Sequence, residues 1–297
     1  MSCVMKWIPC SSISCTTCDR PLTGPKTAAV NHETFHLSAA AAEIYETQKV
    51  VAIFRPLAQA TIERINVDPR DRVIDVACGT GIVSRVLAEK HPSLARIAGI
   101  DLNQSMIEKA RNLTRPGPTR IEWLQTDVLD MPFEDHSFSL AICQQGLQYF
   151  PAKERSLAEI RRVLEPGGRL ALTVWSGASP LFLAIAGALE TFIGREIAER
   201  SLTPFTFNDK DHIESLLSGS GFKAVSVSRI TVDRKVGPAG RSIPREIASN
   251  PIAAEVEARG PAIMDKIVEL VDEGLAEFRD GEGFVVPQES YLFSATN

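Results

Sequence analysis

Residues 73–81, Val-Ile-Asp-Val-Ala-Cys-Gly-Thr-Gly, constrain this chain more than any other stretch. The β-branched apolar run reads as a strand, and small residues follow its acid, Asp75, at alternate positions: Ala77, Gly79 and Gly81. Small residues let the backbone turn sharply and lie directly against a ligand. Residues 82–91 then place Ile82, Val83, Val86 and Leu87 at helical spacing. A strand, a tight turn and a helix in that order make a nucleotide-binding turn.

The alternation continues along the chain. Residues 97–100 form a short apolar run closed by Asp101, twenty positions after Gly81. An acid at that distance, ending a second strand, can accept hydrogen bonds from both hydroxyls of a ribose. Residues 106–113 read as a helix, 121–124 as a strand ending near Asp127, and 140–143 as a strand ending at Gln144 and Gln145. In residues 152–165, Leu157, Ile160 and Leu164 share a helical face; Pro166-Gly167-Gly168 stops that helix, and residues 169–175 return as a strand. Such alternation predicts a parallel sheet with helices on both faces.

With these residues in order, the chain resembles the class I S-adenosylmethionine-dependent methyltransferases over about residues 40–235 and the last dozen positions. The likeness rests on acid-x-small-x-Gly-x-Gly at 75–81, Asp101, Thr126-Asp127, and Leu164-Glu165-Pro166-Gly167-Gly168 before a strand. Within that superfamily it looks most like the small-molecule enzymes related to those of ubiquinone and menaquinone biosynthesis. The resemblance implies a Rossmann-like, doubly wound α/β sheet of seven strands, mostly parallel with an antiparallel last strand, plus a helical cap. It also implies S-adenosylmethionine as cofactor. Gly79 and Gly81 would lie against its methionine part, and Asp75 would organise the turn near its amino group. Asp101 would hold the ribose, Leu102 and Met106 would lie along the adenine, Asp127 would accept from the adenine amine with Val128 beside it, and Gln144 would sit near the sulfonium. Two positions depart from the pattern: Ala77 replaces the first glycine, and Ser139 stands where an acid often precedes the fourth strand.

A nicotinamide-dependent dehydrogenase uses a similar turn, but its third glycine, set in the helix, is Ser84 here. A second alternative is a catalytically silent methyltransferase-like subunit that binds a partner through the cap. For the methyltransferase reading, in-line transfer to an O, N or C atom of a small organic acceptor needs alignment and dryness more than a dedicated base. The candidates for contact with the reacting groups are Tyr45, on a helix that would close over the cofactor, and Gln145, Gln148 and Tyr149 after the fourth strand. No nucleic-acid methylase signature follows that strand, where the chain reads Cys143-Gln144-Gln145-Gly146.

Length and charge bound the rest. At 297 residues with 44% hydrophobic residues, the chain can build one large domain and a cap. The expected layout is an irregular leader at 1–38, the cofactor-binding core with its lid helix at 39–176, a cap insert at 177–221, a core strand at 222–236, a helical cap insert at 237–282 and a final core strand at 283–297. No apolar run approaches the roughly eighteen residues that span a membrane, and a net charge of −5 opposes a nucleic-acid partner. The Arg161-Arg162 pair reads as a solvated helix face.

The leader holds four of the six cysteines. Cys15-x₂-Cys18 with His32-x₃-His36 fits the spacing of a Cys₂His₂ zinc site, although the small apolar core of such a finger is missing between the ligands. An irregular leader or a transit peptide are the other readings. Cytoplasmic residence is expected, with organelle import through the leader left open.

Overall fold

The computed structural model describes residues 39–250 and 252–297. The zinc-spaced set Cys15, Cys18, His32 and His36 and the leader at 1–38 lie outside the described residues. A helix α1 (Ala39–Ile44) runs into a π-helix (Tyr45–Phe54) and then into α2 (Arg55–Arg64). Strand β1 (Arg72–Val76), α3 (Ile82–Lys90), β2 (Arg96–Asp101), α4 (Gln104–Leu113) and β3 (Ile121–Gln125) follow. Then come β4 (Phe138–Gln144), α5 (Lys153–Val163) and β5 (Leu164–Trp175). The first insert carries α6 (Pro180–Phe192), α7 (Arg195–Ser201) and α8 (Lys210–Gly219), ahead of β6 (Lys223–Val236). The second carries α9 (Ala239–Ala248), α10 (Ala253–Glu257), α11 (Pro261–Gly274) and the two-residue β7 (Arg279–Asp280), ahead of β8 (Gly283–Thr296).

The strands form one sheet in the order β3-β2-β1-β4-β5-β8-β6, with β7 paired to β8 off that path. Neighbours from β3 to β5 are parallel, and β8 runs antiparallel to both β5 and β6. This is the expected doubly wound sheet; β7 adds a short eighth strand. Central strands are continuous apolar runs because helices cover both faces. Val73, Ile74 and Val76 of β1 are fully buried. The edge strand β6 instead alternates, burying Ile230, Val232, Arg234 and Val236 on one face.

One face packs on α5 and α8 through Leu157, Ile160, Ile213 and Leu217. The other packs on the π-helix, α2 and α3 through Val50, Ile53, Leu57, Val83 and Leu87. The far ends of β6 and β8 are covered by α6, α9 and α11, where Leu181, Leu189, Ile243, Ile267 and Val271 surround Val236, Phe284 and Val286. Among the described residues no helix is long and apolar enough to cross a membrane.

Three local expectations change. Helix α5 ends at Val163, because Leu164 already pairs with Phe138 and begins β5 across an irregularity in the ladder. The lid is a π-helix over ten residues rather than an α-helix. Arg162 is more than a solvated residue: with 31% of its side chain still exposed, its guanidinium donates to Glu159 and Asp135 at 2.7 Å and to the carbonyls of Phe133 and Met131, clamping α5 to the segment before β4.

Candidate functional site

The sheet order reverses between β1 and β4, and in open α/β sheets that is where the carboxyl ends of the strands leave a crevice. The two turns bordering it are strained alike. Ala77 after β1 and Gln145 after β4 both hold left-handed backbone, at φ 56° and φ 58°, a cost few non-glycine residues accept outside functional sites. The turns touch closely: a Cβ on Gly146 would lie 2.8 Å from the Ala77 methyl. So the methyl at the family's glycine position is accepted because Gly146 has no side chain opposite.

Asp101 ends β2 at the mouth of the crevice. Its Oδ2 accepts from the Gly79 amide at 2.8 Å and its Oδ1 from the Asn103 amide at 2.8 Å. Burial raises its pKa, and those two amides oppose the rise. Each carboxylate oxygen keeps a further lone pair for a hydroxyl donor. Asp75 is fully buried under the turn; Oδ2 accepts from the Ser84 amide at 3.1 Å and the Ser84 hydroxyl at 2.7 Å, while Oδ1 has no partner. Burial pushes Asp75 up to about 7, against the two bonds from Ser84. A buried carboxylate oxygen without a donor fits an ammonium group.

The two glycines of the turn do different work. Gly79, at φ +56°, faces Tyr45, whose ring and hydroxyl would stand 3.7 Å from an added Cβ. Gly81, at φ +79°, faces inward, where an added Cβ would meet Trp123 Cη2 at 2.1 Å. The Trp123 ring lies over Gly99, its neighbour in register on β2, and reaches the turn from below. Gly81 is therefore small for the sake of packing.

The π-helix closes the other side. Glu46 accepts from Thr80 Oγ1 at 2.5 Å and pairs with Arg85 at 2.7 Å, tying the lid to the turn and to α3. Tyr45 stacks on Phe54 with centroids 5.2 Å apart, and Phe54, Trp175, Phe205 and Phe182 continue as a chain of ring contacts. Burial, followed by the nearby Asp101 carboxylate, drives the Tyr45 phenol well above its ordinary pKa. Gln144 donates to the Phe54 carbonyl at 3.2 Å and leaves its Oε1 buried and unpartnered. Gln145 donates to Ser290 Oγ at 3.0 Å.

The structure thus brings Tyr45, Asp75, Ala77, Gly79, Asp101, Gln144 and Gln145 to one crevice. The others sit further out. Leu102 and Met106 stand at the start of α4, where the Met106 amide is capped by Asn103. Asp127 bonds the Leu129 amide at 2.9 Å beyond β3, and Val128 packs partly buried against the core. Gln148 and the exposed Tyr149 lie on a single 3₁₀ turn after β4. Glu46, Thr80, Arg85 and Trp123 were missed in the sequence. Only the position of Glu46 beside Tyr45 hinted at any of them.

Comparison with known proteins gives the family. Residues 74–172 match the methyltransferase domain family. A demethylmenaquinone methyltransferase of Clavibacter sepedonicus is 30% identical over 199 residues, which span 60% of this chain and 79% of that protein. The chain belongs to the class I S-adenosylmethionine-dependent methyltransferases. A ubiquinone/menaquinone biosynthesis C-methyltransferase of Bordetella avium is 33% identical over 150 residues, half of this chain and 59% of that relative's length. Among solved structures, the Haemonchus contortus phosphoethanolamine N-methyltransferase 2 complex with phosphomonomethylethanolamine and S-adenosylhomocysteine shares the fold with a TM-score of 0.56 at 17% identity, over 89% of this chain and 59% of that one. The YcgJ protein of Bacillus subtilis shares it with a TM-score of 0.52 at 15% identity, over 81% and 97%. For a methyltransferase of this family, the orphaned Asp75 Oδ1 and the free lone pairs of Asp101 fit the amino group and ribose of S-adenosylmethionine.

Proposed function

We propose that this methyltransferase binds S-adenosylmethionine over the 77–81 turn and transfers its methyl group to a small, planar organic acceptor held beneath the π-helix. The observation that carries the reading is Asp101: its carboxylate is pinned by the Gly79 and Asn103 amides at the mouth of the switch-point crevice. When bound, the cofactor would supply a sulfonium methyl carbon for in-line attack by an acceptor lone pair or carbanion, the carbon–sulfur electron pair staying on sulfur and any acceptor proton passing to solvent. Asp75 would receive the cofactor's ammonium and Asp101 its ribose, with Leu102, Met106, Asp127 and Val128 around the adenine.

The chain's own contribution is alignment and exclusion of water. The Tyr45 phenol, held neutral by burial and by Asp101, serves as wall and donor and is a poor base. The amides of Gln144, Gln145 and Gln148 cannot take a proton, and the part of the half-exposed Tyr149 side chain that is shielded from water raises its phenol as well. The candidates therefore orient an acceptor that enters already reactive. The aromatic run Phe54, Trp175, Phe205 and Phe182 favours a ring system, the class that the names of the Clavibacter and Bordetella relatives also contain.

Calorimetric titration with S-adenosylhomocysteine tests the reading. Micromolar binding is expected for the full chain. Asp101→Ala should weaken it about a hundredfold, because ribose bonds and the brace on Gly79 are lost together, about 3 kcal/mol. Wild-type affinity in that variant would remove Asp101 from the site, and no binding by the unaltered chain would return the silent-subunit alternative.

Asp75 adds a pH dependence. Its folded pKa, near 7, lies above the ordinary carboxylate value, so its contribution to stability is present at acid pH and is lost as pH rises through 7. An ammonium beside Asp75 favours the ionised form. Affinity for S-adenosylhomocysteine should thus rise from pH 6 to about 8, with proton release near neutrality that shows as a buffer-dependent heat. Asp75→Asn should abolish the released proton; an unchanged heat would place the ammonium elsewhere.

A further inference from the structure

A row of buried polar side chains leaves the crevice and crosses the sheet beneath the lid. Gln145 bonds Ser290 on β8, Gln288 lies two positions along on the same face, and Arg234 on β6 is its diagonal neighbour, since Val232 pairs with Gln288 and Arg234 with Val286. Arg234 is 3% exposed, Gln288 1% and Ser290 0%. Buried side chains of this kind are normally satisfied, yet Arg234 Nε and Gln288 Nε2 both lack a partner. Gln145 Oε1, at the crevice end of the row, is a third orphan and an acceptor, but the two at the Arg234 end are both donors.

The charge nearby is unbalanced. Glu246 of α9 pairs with Arg234 and also with Lys49 of the π-helix, so one carboxylate faces two cations. The Arg234 guanidinium also lies 5.3 Å from the centroid of the Phe182 ring, the end of the aromatic run that starts at Tyr45. An excess positive charge in an apolar enclosure costs free energy unless an anion joins it. Waters could satisfy the orphaned donors, but water would leave the charge uncompensated.

We infer that Arg234, Lys49 and Gln288 form an anion subsite at the far end of the acceptor pocket, which takes an ionised oxygen group, a carboxylate or phenolate, carried on an aromatic acceptor. This rests on the methyl-transfer reading for what the bound molecule is, not for the subsite itself. Gln145 follows β4 and stands level with Arg229 of β6, so Arg234 lies three strand spacings across the sheet, about 14 Å, and five residues along it, about 16 Å. The Gln145 and Arg234 side chains reach into that distance from both ends, and a two-ring acceptor takes up the remainder, with its reacting atom at the crevice and its charge against Arg234.

The test uses two probes of one shape, 2-naphthoate and the neutral 2-naphthamide, titrated into the full chain by tryptophan fluorescence and calorimetry, with and without S-adenosylhomocysteine. Naphthoate is expected to bind at least about tenfold more tightly than the amide. Lys49→Met and Arg234→Met each leave one cation with one carboxylate, so both variants should fold. Both should bring naphthoate affinity down to that of the amide while changing amide binding less than about twofold. Equal binding of the two probes in the unaltered chain, a preference that survives both substitutions, or failure of either probe to bind at millimolar concentration would overturn the subsite. Selective naphthoate binding by a chain that does not take S-adenosylhomocysteine would overturn the cofactor reading and leave the subsite standing.

Discussion

Gly81→Ala is expected to remove a large share of the protein's stability, while Gly79→Ala, two residues earlier in the same turn, costs only about 1 to 2 kcal/mol. At Gly81 two penalties add. A left-handed φ of +79° costs a non-glycine residue about 1 to 2 kcal/mol, and the new methyl would stand 2.1 Å from Trp123 Cη2. The ring has little room to step aside: it lies so close on Gly99 that an added Cβ there would stand 2.3 Å from it, and its Nε1 donates to Thr114 Oγ1 at 3.0 Å. Overpacking of this kind costs about 1 to 3 kcal/mol more. The sum, about 2 to 5 kcal/mol, is a large share of a typical folding free energy of about 5 to 15 kcal/mol. At Gly79 an added Cβ meets Tyr45 at an ordinary 3.7 Å, so only the backbone penalty remains. Urea denaturation of both variants decides the matter, and similar midpoints would show that Trp123 does not pack as described. Trp123→Leu in the Gly81→Ala background should recover part of the loss, because removing the ring removes the clash.

The difference between the two glycines shows what a linear sequence conveys. The spacing of Asp75, Gly79, Gly81 and Asp101 announced a strand, a turn and a second acid, because those features are local and their periodicities are strict. The parallel sheet followed, since a parallel strand pair needs a crossover and the helices between strands read clearly at Ile82–Lys90 and Lys153–Val163; the strand order did not. Which glycine faces a ligand and which faces a ring depends on Trp123, forty-two positions after Gly81. No local pattern carries that information. Glu46 is equally silent: its partners Thr80 and Arg85 lie 34 and 39 positions away. Nor does the sequence mark Ala77 and Gln145 as left-handed: Gln145 is held by the Thr173 carbonyl and the Ser290 hydroxyl, far along the chain. In Arg161-Arg162, composition suggested a solvated face, but the chain loops back so that Arg162 meets Asp135 and two carbonyls.

Long-range charge is the least legible feature and carries the other large effect. Glu246→Leu is expected to destabilise the protein by about 3 to 5 kcal/mol, the cost of stripping buried cations of their carboxylate. Lys49 and Glu246 are 197 positions apart, and Arg234, whose side chain is 4% exposed, pairs with the same carboxylate. Without Glu246, Arg234 keeps only its contact with the Phe182 ring, and a guanidinium cannot shed its proton. Lys49 can. Burial already lowers its pKa against the pull of Glu246, so in the variant its folded-state pKa falls further below the unfolded one. The unfolded chain then binds more protons than the folded one between those two values, and the variant's stability should rise as pH is raised toward the ordinary lysine value. Adding Lys49→Met and Arg234→Met to Glu246→Leu removes every charge of the triad, and the triple variant should recover most of the loss, as apolar replacements of buried ion groups commonly do. Urea unfolding at two pH values reads all three outcomes. A single variant that loses less than about 1 kcal/mol would mean that water reaches the triad, since exposed ion pairs contribute no more than that.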